Sequence, residues 1–147
     1  MRHKEFMAVP FLLLGAVACG GGGSTASPSV PTTQPLAQWY SQAAGPLGKL
    51  SAAYIGLGTG GRSLAQLQGS PEVTELQDAA RAGMAVPAPE GRPDIDLAYD
   101  QVMTDAVTVS QDISADREDR FNADADAAGA HLDALKTILA GVSPSAS

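Results

Sequence analysis

The chain has 147 residues, with 16 acidic residues against nine lysines and arginines, and a net charge of −7 at pH 7. Surplus negative charge repels phosphate backbones and argues against nucleic acid as a partner. Alanine is abundant, aromatic residues make up 5% of the chain, and β-branched residues rarely cluster, a mixture that favours helices over a sheet. The length after the N-terminal region suits one domain with a single modest core.

The first 18 residues have the layout of an export signal. A basic head, Arg2 to Lys4, precedes an apolar segment from Phe6 to Val17. A basic head, a short apolar stretch and small residues at the cut are typical of a secretory signal. The segment is shorter than the ~20 apolar residues that a membrane-spanning helix needs, so we predict a signal peptide over residues 1–18.

The only cysteine of the chain, Cys19, follows this segment. Ala16-Val17-Ala18-Cys19 resembles the lipobox of bacterial lipoproteins, with Ala16 where leucine is usual. The resemblance implies that Cys19 becomes the first mature residue and carries a diacylglyceryl thioether, with acyl chains such as palmitate anchoring the protein. Lipidation accounts for the unpaired thiol and places the protein on the extracytoplasmic face of the cell membrane. The alternatives are a plain secreted protein cut nearby and a retained apolar anchor.

A linker follows the lipidated cysteine. Residues 20–35 are rich in Gly, Ser, Thr and Pro and contain almost no large apolar residue, so they cannot bury enough surface to offset the entropy of ordering. As a flexible coil they would span on the order of 20 Å. We therefore predict a disordered tether from Cys19 to residue 35, a helical domain over 36–142 and a disordered tail over 143–147.

Apolar residues recur every three or four positions from residue 36 onward, which predicts amphipathic helices. The first stripe is Leu36, Trp39, Ala43, Leu47, Leu50, Tyr54 and Leu57. Gly45-Pro46 interrupts it and predicts a kink or two abutting helices. Glycines over 56–61 end this helix, and a short turn around Leu64 and Leu67 follows.

A second helix is predicted to start at Ser70-Pro71-Glu72, which offers a hydroxyl cap, a proline at the first helical position and an acid near the positive end of the dipole. Its apolar stripe is Val73, Leu76, Ala80 and Met84. A proline- and glycine-rich loop over 87–93 separates it from the next helix.

Two further stripes follow this loop. The third helix starts at Pro93-Asp94, and its stripe is Ile95, Tyr99, Val102, Ala106, Val109 and Ile113. Ser114 is the candidate cap of a fourth helix, whose stripe is Phe121, Ala125, Ala128, Leu132, Leu135 and Leu139. One long helix is the alternative, but the lapse between Ile113 and Phe121 favours a break. Four such helices with short connections pack best as an antiparallel bundle, so the predicted fold is an all-α, antiparallel four-helix bundle with helix 1 kinked at Gly45-Pro46.

The layout of the mature part is similar to that of small alanine-rich helical lipoproteins of unknown function from high-GC actinobacteria. The matching features are Trp39 early in the first helix, the Pro87-x-Pro89 loop, and Pro93-Asp94 before a helix that carries an aromatic residue. Those relatives often link helices two and three through a cysteine pair, which this chain lacks. The resemblance implies no site residues.

Three patterns imitate known sites without completing them. Gly56 to Gly61 matches G-x-G-x-x-G, but a dinucleotide loop needs a strand before it within a βαβ unit, and here a helical stripe precedes it. The stretch 122–133 imitates a calcium loop but lacks its glycine and its bidentate glutamate. His131 is the only histidine left after processing, and alone it completes neither a zinc site nor a serine triad.

Two candidate sites remain. The first is a ligand pocket between helices, formed by Trp39, Tyr54 and Tyr99. Bundles hold ligands in such places, although the same aromatic residues are ordinary core in the alternative. The second is a weak cation patch, formed by Asn122, Asp126 and Asp133. We predict no cofactor, no resident metal and no catalytic residue.

The sequence therefore predicts a non-catalytic lipoprotein that binds a protein partner in the cell envelope. Residues 94 to 133 contain eleven acidic residues and two arginines, which is either a solvated helix face or an acidic docking surface. The alternative function is an extracytoplasmic carrier of a small ligand or cation. An enzyme is the third hypothesis. It ranks below the other two because the spacing of the carboxylates pairs no acid with a base.

Overall fold

A computed structural model describes residues 33–58 and 60–142; Cys19, the signal peptide, most of the tether and the tail lie outside them. The helices are α1 (Leu36–Gly58), α2 (Leu64–Leu67), α3 (Pro71–Met84), α4 (Pro93–Ser114) and α5 (Glu118–Ala140). These residues form no strand, only an isolated bridge between Gln34 and Pro89. The predicted all-α class is confirmed. None of the described helices is long and apolar enough to cross a membrane.

Helix boundaries follow the local chemistry of proline. Ser70 is extended and precedes Pro71, whose fixed φ and missing N–H suit the first position of a helix, so α3 begins where predicted. Pro93 begins α4 in the same way. In contrast, α1 continues through Pro46 as one helix of 23 residues, and the two abutting helices of the alternative do not form.

Helices α4 and α5 are separate, as the lapse in the apolar stripe predicts. Asp116, in the turn between them, has a φ of 55°, a left-handed conformation that ends a right-handed helix and that aspartate adopts more readily than most residues. The prediction that Ser114 caps the fourth helix is wrong. Its hydroxyl donates to the Ser110 carbonyl (2.8 Å) within α4, and Arg117 is the residue that precedes α5.

The helices pack in sequence order around one core. Helix α1 packs against α3, α3 against α4 and α4 against α5, while α2 touches α4. The largest fully buried side chains are Trp39, Leu50, Leu67, Leu76, Ile95, Tyr99, Met103, Ile113 and Leu135. All six residues of the predicted stripe on α4 are buried. The prediction for Met84 is wrong: it is 52% exposed, because Gly83 faces α4 instead and Met103 fills the space against it.

The residues before α1 are tied to the loop between α3 and α4. The Gln34 N–H donates to the Ala88 carbonyl (2.9 Å), and the Gln34 carbonyl accepts from the Glu90 N–H (2.9 Å). Its side-chain Nε2 donates to the Pro87 carbonyl (2.9 Å), and the residue is 5% exposed. The chain that the sequence assigns to the tether is therefore fixed to the domain from residue 34, beside this loop and the start of α1.

Candidate ligand-binding cleft

An open cleft of about 320 Å³ lies between the last turns of α1 and the first half of α5. Helix α1 contributes Tyr54, Leu57 and Gly58. Helix α5 contributes Phe121, Asn122, Ala125, Asp126, Gly129 and Leu132. The volume falls in the range of small-molecule sites, roughly 300–1,000 Å³, and most of the lining side chains are apolar.

The cleft exists because the apolar stripe of α5 is only half covered. Leu132 and Leu135 are buried, whereas Phe121 and Ala125, earlier on the same stripe, are only partly buried. Small residues leave the space open, since a Cβ added at Gly129 would meet no atom within 4 Å.

The other ends of these two helices do meet. There the Tyr40 hydroxyl donates to the Leu139 carbonyl (3.2 Å). The same two helices therefore close at one end and leave the cleft at the other.

Tyr54, a residue of the cleft wall, carries a buried polar group. Its hydroxyl oxygen is buried and has no hydrogen-bond partner among the residues that the structure describes. Burial, and after it the negative charge of Asp105, raises the pKa of Tyr54 far above that of an ordinary phenol, so the group stays neutral. A neutral hydroxyl can donate one hydrogen bond and accept others. Leaving a buried polar group unpartnered costs about 1–3 kcal/mol, and a ligand with a matching polar atom would recover that free energy.

The predicted cation patch is only partly assembled. Asn122 and Asp126 lie one turn apart on α5 and both line the cleft. Asp133 lies outside the cleft, where its carboxylate pairs with Lys136 Nζ at 3.2 Å. Within residues 33–58 and 60–142, no group of three or more His, Cys, Asp or Glu side chains is arranged to hold a metal ion. The cleft thus gains one carboxylate and one amide from the predicted patch.

The predicted aromatic pocket is also divided. Trp39 and Tyr99 pack edge to face in the core, with ring centroids 5.2 Å apart and an interplanar angle of 75°, a favoured aromatic geometry. Trp39 is 0% and Tyr99 2% exposed, and burial, with a lesser contribution from Asp100, raises the pKa of Tyr99 to about 12. Of the three residues, only Tyr54 lines the cleft.

Two side-chain pairs across the α4–α5 connection escape the sequence analysis. Asp105 Oδ2 lies 2.7 Å from His131 Nδ1, and Asp112 interacts with Asp124. The positions of these residues in the sequence could have predicted both pairs. Asp105 and His131 lie thirteen residues before and after Glu118, and Asp112 and Asp124 lie six before and after it. Residues equidistant from the turn of a helical hairpin lie opposite each other, and the expected hairpin therefore predicts these partners.

A second groove, of about 360 Å³, lies between α3 and α4. Its lining residues are Gln77, Arg81, Met84, Val107, Ser110 and Gln111. Ser110, its buried polar residue, donates its hydroxyl to the Val107 carbonyl (2.8 Å), and Arg81 pairs with Asp78 at 3.0 Å. No buried side-chain polar atom among the residues that line this groove lacks a partner, which makes the α1–α5 cleft the stronger candidate.

No family model matches the chain, and neither the search of curated proteins nor that of solved structures finds a match.

Proposed function

We propose that this chain is an exported, non-catalytic lipoprotein whose helical domain binds a small molecule in the α1–α5 cleft, outside the cell membrane. The observation that carries the proposal is an apolar cleft of ligand size with a buried, unpartnered Tyr54 hydroxyl among the described residues. The sequence by itself favours a protein partner in the envelope. The cleft favours a small ligand over that partner.

The chemistry of the lining selects the kind of ligand. Leu57, Phe121 and Leu132 offer an apolar surface, so the body of the ligand is apolar and its burial drives binding. The buried hydroxyl of Tyr54 offers a hydrogen bond to a ligand that reaches it behind the cleft wall, and Asp126 offers a negative charge on the α5 side. The chain as a whole has a net charge of −7, which favours a neutral or cationic ligand over an anion.

The proposal includes an antiparallel four-helix bundle formed by α1, α3, α4 and α5, with α1 bent at Gly45-Pro46. The packing of each of these helices against the next supports this arrangement. Pro46 has no N–H to donate to the carbonyl of Gln42, and a proline inside a helix is the commonest cause of a bend. A crystal structure in which the axis of α1 runs straight across Pro46 would contradict the bend.

The anchor is tested in the native host. The intact mass of the wild-type protein should match a chain that begins at Cys19 and carries diacylglyceryl and acyl groups. Cys19→Ser should lose this lipid mass and the membrane retention that depends on it. The anchor would be contradicted if Cys19→Ser stayed in the membrane fraction like the wild type, or if the wild-type protein carried no lipid.

Native mass spectrometry of the full-length protein from its own host tests the cleft. We expect the wild type to retain a small molecule and Gly129→Leu to lose it, because a leucine at this position fills the cleft from α5. The substitution should not weaken the helix, since leucine has a higher helix propensity than glycine by just under ~1 kcal/mol.

Gly48→Leu is the matched control. Gly48 is also an exposed helical glycine whose added Cβ would meet no atom within 4 Å, but it lies outside the cleft, so this variant should keep the ligand. Ligand-free wild type, together with an envelope protein crosslinked to the domain in cells, would overturn the small-molecule proposal and favour a protein partner.

A further inference from the structure

The end of α4 buries a carboxyl group that the cleft does not use. Asp112 is 2% exposed. Its Oδ1 lies 3.6 Å from Arg117 Nη1, too far for a good hydrogen bond, and its Oδ2 has no partner among the described residues. A buried, ionised carboxylate with an unsatisfied oxygen is costly.

A second carboxyl, that of Asp124, faces Asp112 from α5. Two ionised carboxylates in contact repel each other, and the usual outcome is that one of them keeps its proton. A protonated carboxyl is a hydrogen-bond donor. One proton held by this pair would therefore remove the repulsion and give the buried oxygens of Asp112 a partner.

The surrounding charges suit a pair that holds one proton. Arg117 in the turn and Arg120 in the first turn of α5 are the cations that act on Asp112. The neutral Gln68, directly after α2, donates to the Ile113 carbonyl at 3.0 Å. With one proton the carboxyl pair carries a single negative charge, which the guanidinium of Arg117 can balance.

We propose that Asp112 and Asp124 form a proton-binding site that holds the first half of α5 against α4, and that loss of the proton loosens this half of the helix. Asp124 lies on α5 between residues that line the cleft, Asn122 before it and Ala125 after it. Proton loss would then also weaken ligand binding. This second consequence rests on the proposed function, whereas the proton site itself does not.

The direction of the pH dependence follows from the environment of Asp112. Burial, and after it the neighbouring carboxyl of Asp124, raises the pKa of Asp112 above the ordinary range, whereas an aspartate in an unfolded chain has a pKa of about 3.9. The closed helix therefore binds more protons than the loosened one above about pH 4. The stability from this site is complete below that pH and is lost as pH rises through the pKa of Asp112 in the folded protein.

Two NMR measurements on the full-length chain test the site without any ligand. In a titration of the side-chain carboxyl carbons, Asp112 should titrate above the range of ordinary aspartates. In hydrogen exchange corrected for its intrinsic pH dependence, the amides of residues 121–126 should lose protection as the pH rises above the ordinary aspartate pKa of about 3.9. The loss should be about tenfold for each unit by which the pKa of Asp112 exceeds the ordinary value.

Asp112→Asn mimics the protonated carboxyl, because its uncharged amide can donate to Asp124. This variant should keep its protection at high pH. Asp100→Asn, the same change at an exposed position of α4, should behave like the wild type. If Asp112→Asn fails to fold, Asp124→Asn supplies the neutral partner from α5 and should likewise remove the pH dependence.

The proposal is overturned if Asp112 titrates like an ordinary aspartate, or if the pH-dependent loss of protection persists in both asparagine variants. Neither result bears on the presence of a ligand. A wild-type protein that shows the titration but carries no small molecule would refute the proposed function and leave the proton site intact.

Discussion

Two helical glycines have opposite surroundings, so the same substitution should change stability in opposite directions. Gly83 on α3 is buried, and an added Cβ would overlap the thioether of Met103. At Gly129 on α5 the same Cβ would enter open space. Helix propensity alone would treat the two positions alike.

Gly83→Ala should lower the free energy of unfolding by up to ~2 kcal/mol. Overpacking of this kind costs typically 1–3 kcal/mol, and the gain in helix propensity returns ~1 kcal/mol of that. Gly129→Ala should raise the free energy of unfolding by up to ~1 kcal/mol. Urea unfolding of both variants checks the pair, and equal signs would mean that Met103 moves aside without cost.

Arg92 and Asp94 form an ion pair at the start of α4. Arg92 donates from Nε to Asp94 Oδ1 (2.9 Å) and from Nη2 to Asp94 Oδ2 (2.6 Å). These hydrogen bonds lower the pKa of Asp94 to about 2. Because the folded value is depressed, the stability contributed by Asp94 is present above the unfolded pKa of ~3.9 and is lost as pH falls from there toward 2.

Arg92→Gln should return the pKa of Asp94 toward the ordinary ~3.9 and abolish this acid-side loss of stability. Carboxyl NMR titration measures the first effect, and unfolding curves between pH 2 and pH 5 measure the second. Arg81→Gln, which removes an exposed arginine from the Asp78 pair on α3, is the control and should leave Asp94 unchanged. A low pKa that survives Arg92→Gln would assign it to the amides at the start of α4.

At the scale of the helices, sequence periodicity predicts best which residues are buried where other helices cover the whole apolar stripe of a helix. The stripe of α4 is buried throughout because α3 and α5 both pack against this helix. The same pattern on α5 does not reveal that Phe121 and Ala125 remain half exposed, since their cover depends on how far α1 lies from α5. The failed cap at Ser114 has a local cause: the turn is made by Asp116, in a conformation that hydrophobic periodicity does not report.

Pro46 tests what an interior proline does to α1. Proline costs about 3 kcal/mol relative to alanine inside a helix, and it returns about 0.4–1 kcal/mol by restricting the unfolded chain. Pro46→Ala should therefore raise the free energy of unfolding by ~2 kcal/mol. Pro71→Ala is the control, because proline at the first position of α3 loses no hydrogen bond and its replacement should bring no gain.

Thermal and urea unfolding measure both proline variants. If Pro46→Ala is instead less stable than the wild type, α1 must bend at Pro46 in order to pack against α3.

At the scale of the whole molecule, the cleft and the predicted anchor lie at opposite ends of α1. The chain joins the domain at Gln34, held by the loop between α3 and α4, and Gly58 at the other end of α1 lines the cleft. At 1.5 Å per residue, Leu36 and Gly58 are about 33 Å apart along the helix. The sequence predicts a spacer and a domain, but the side on which the domain opens depends on the packing of α1 against α5, which no local pattern encodes. With the anchor that we propose at Cys19, a domain attached beside its closed end would present the cleft away from the membrane.

Fluorescent labels at the two ends of α1 test this orientation. Cys19 is the only cysteine of the chain, and when it carries a lipid, an introduced cysteine is the only free thiol. Gln38→Cys and Gly58→Cys place a label on exposed positions of one helix, about 30 Å apart. In vesicles that contain nitroxide-labelled lipid headgroups, the label at position 38 should be quenched more than the label at position 58. Equal quenching would mean that the tether lets the domain lie along the surface, and stronger quenching at position 58 would mean that the cleft faces the bilayer and takes its ligand from the lipid phase.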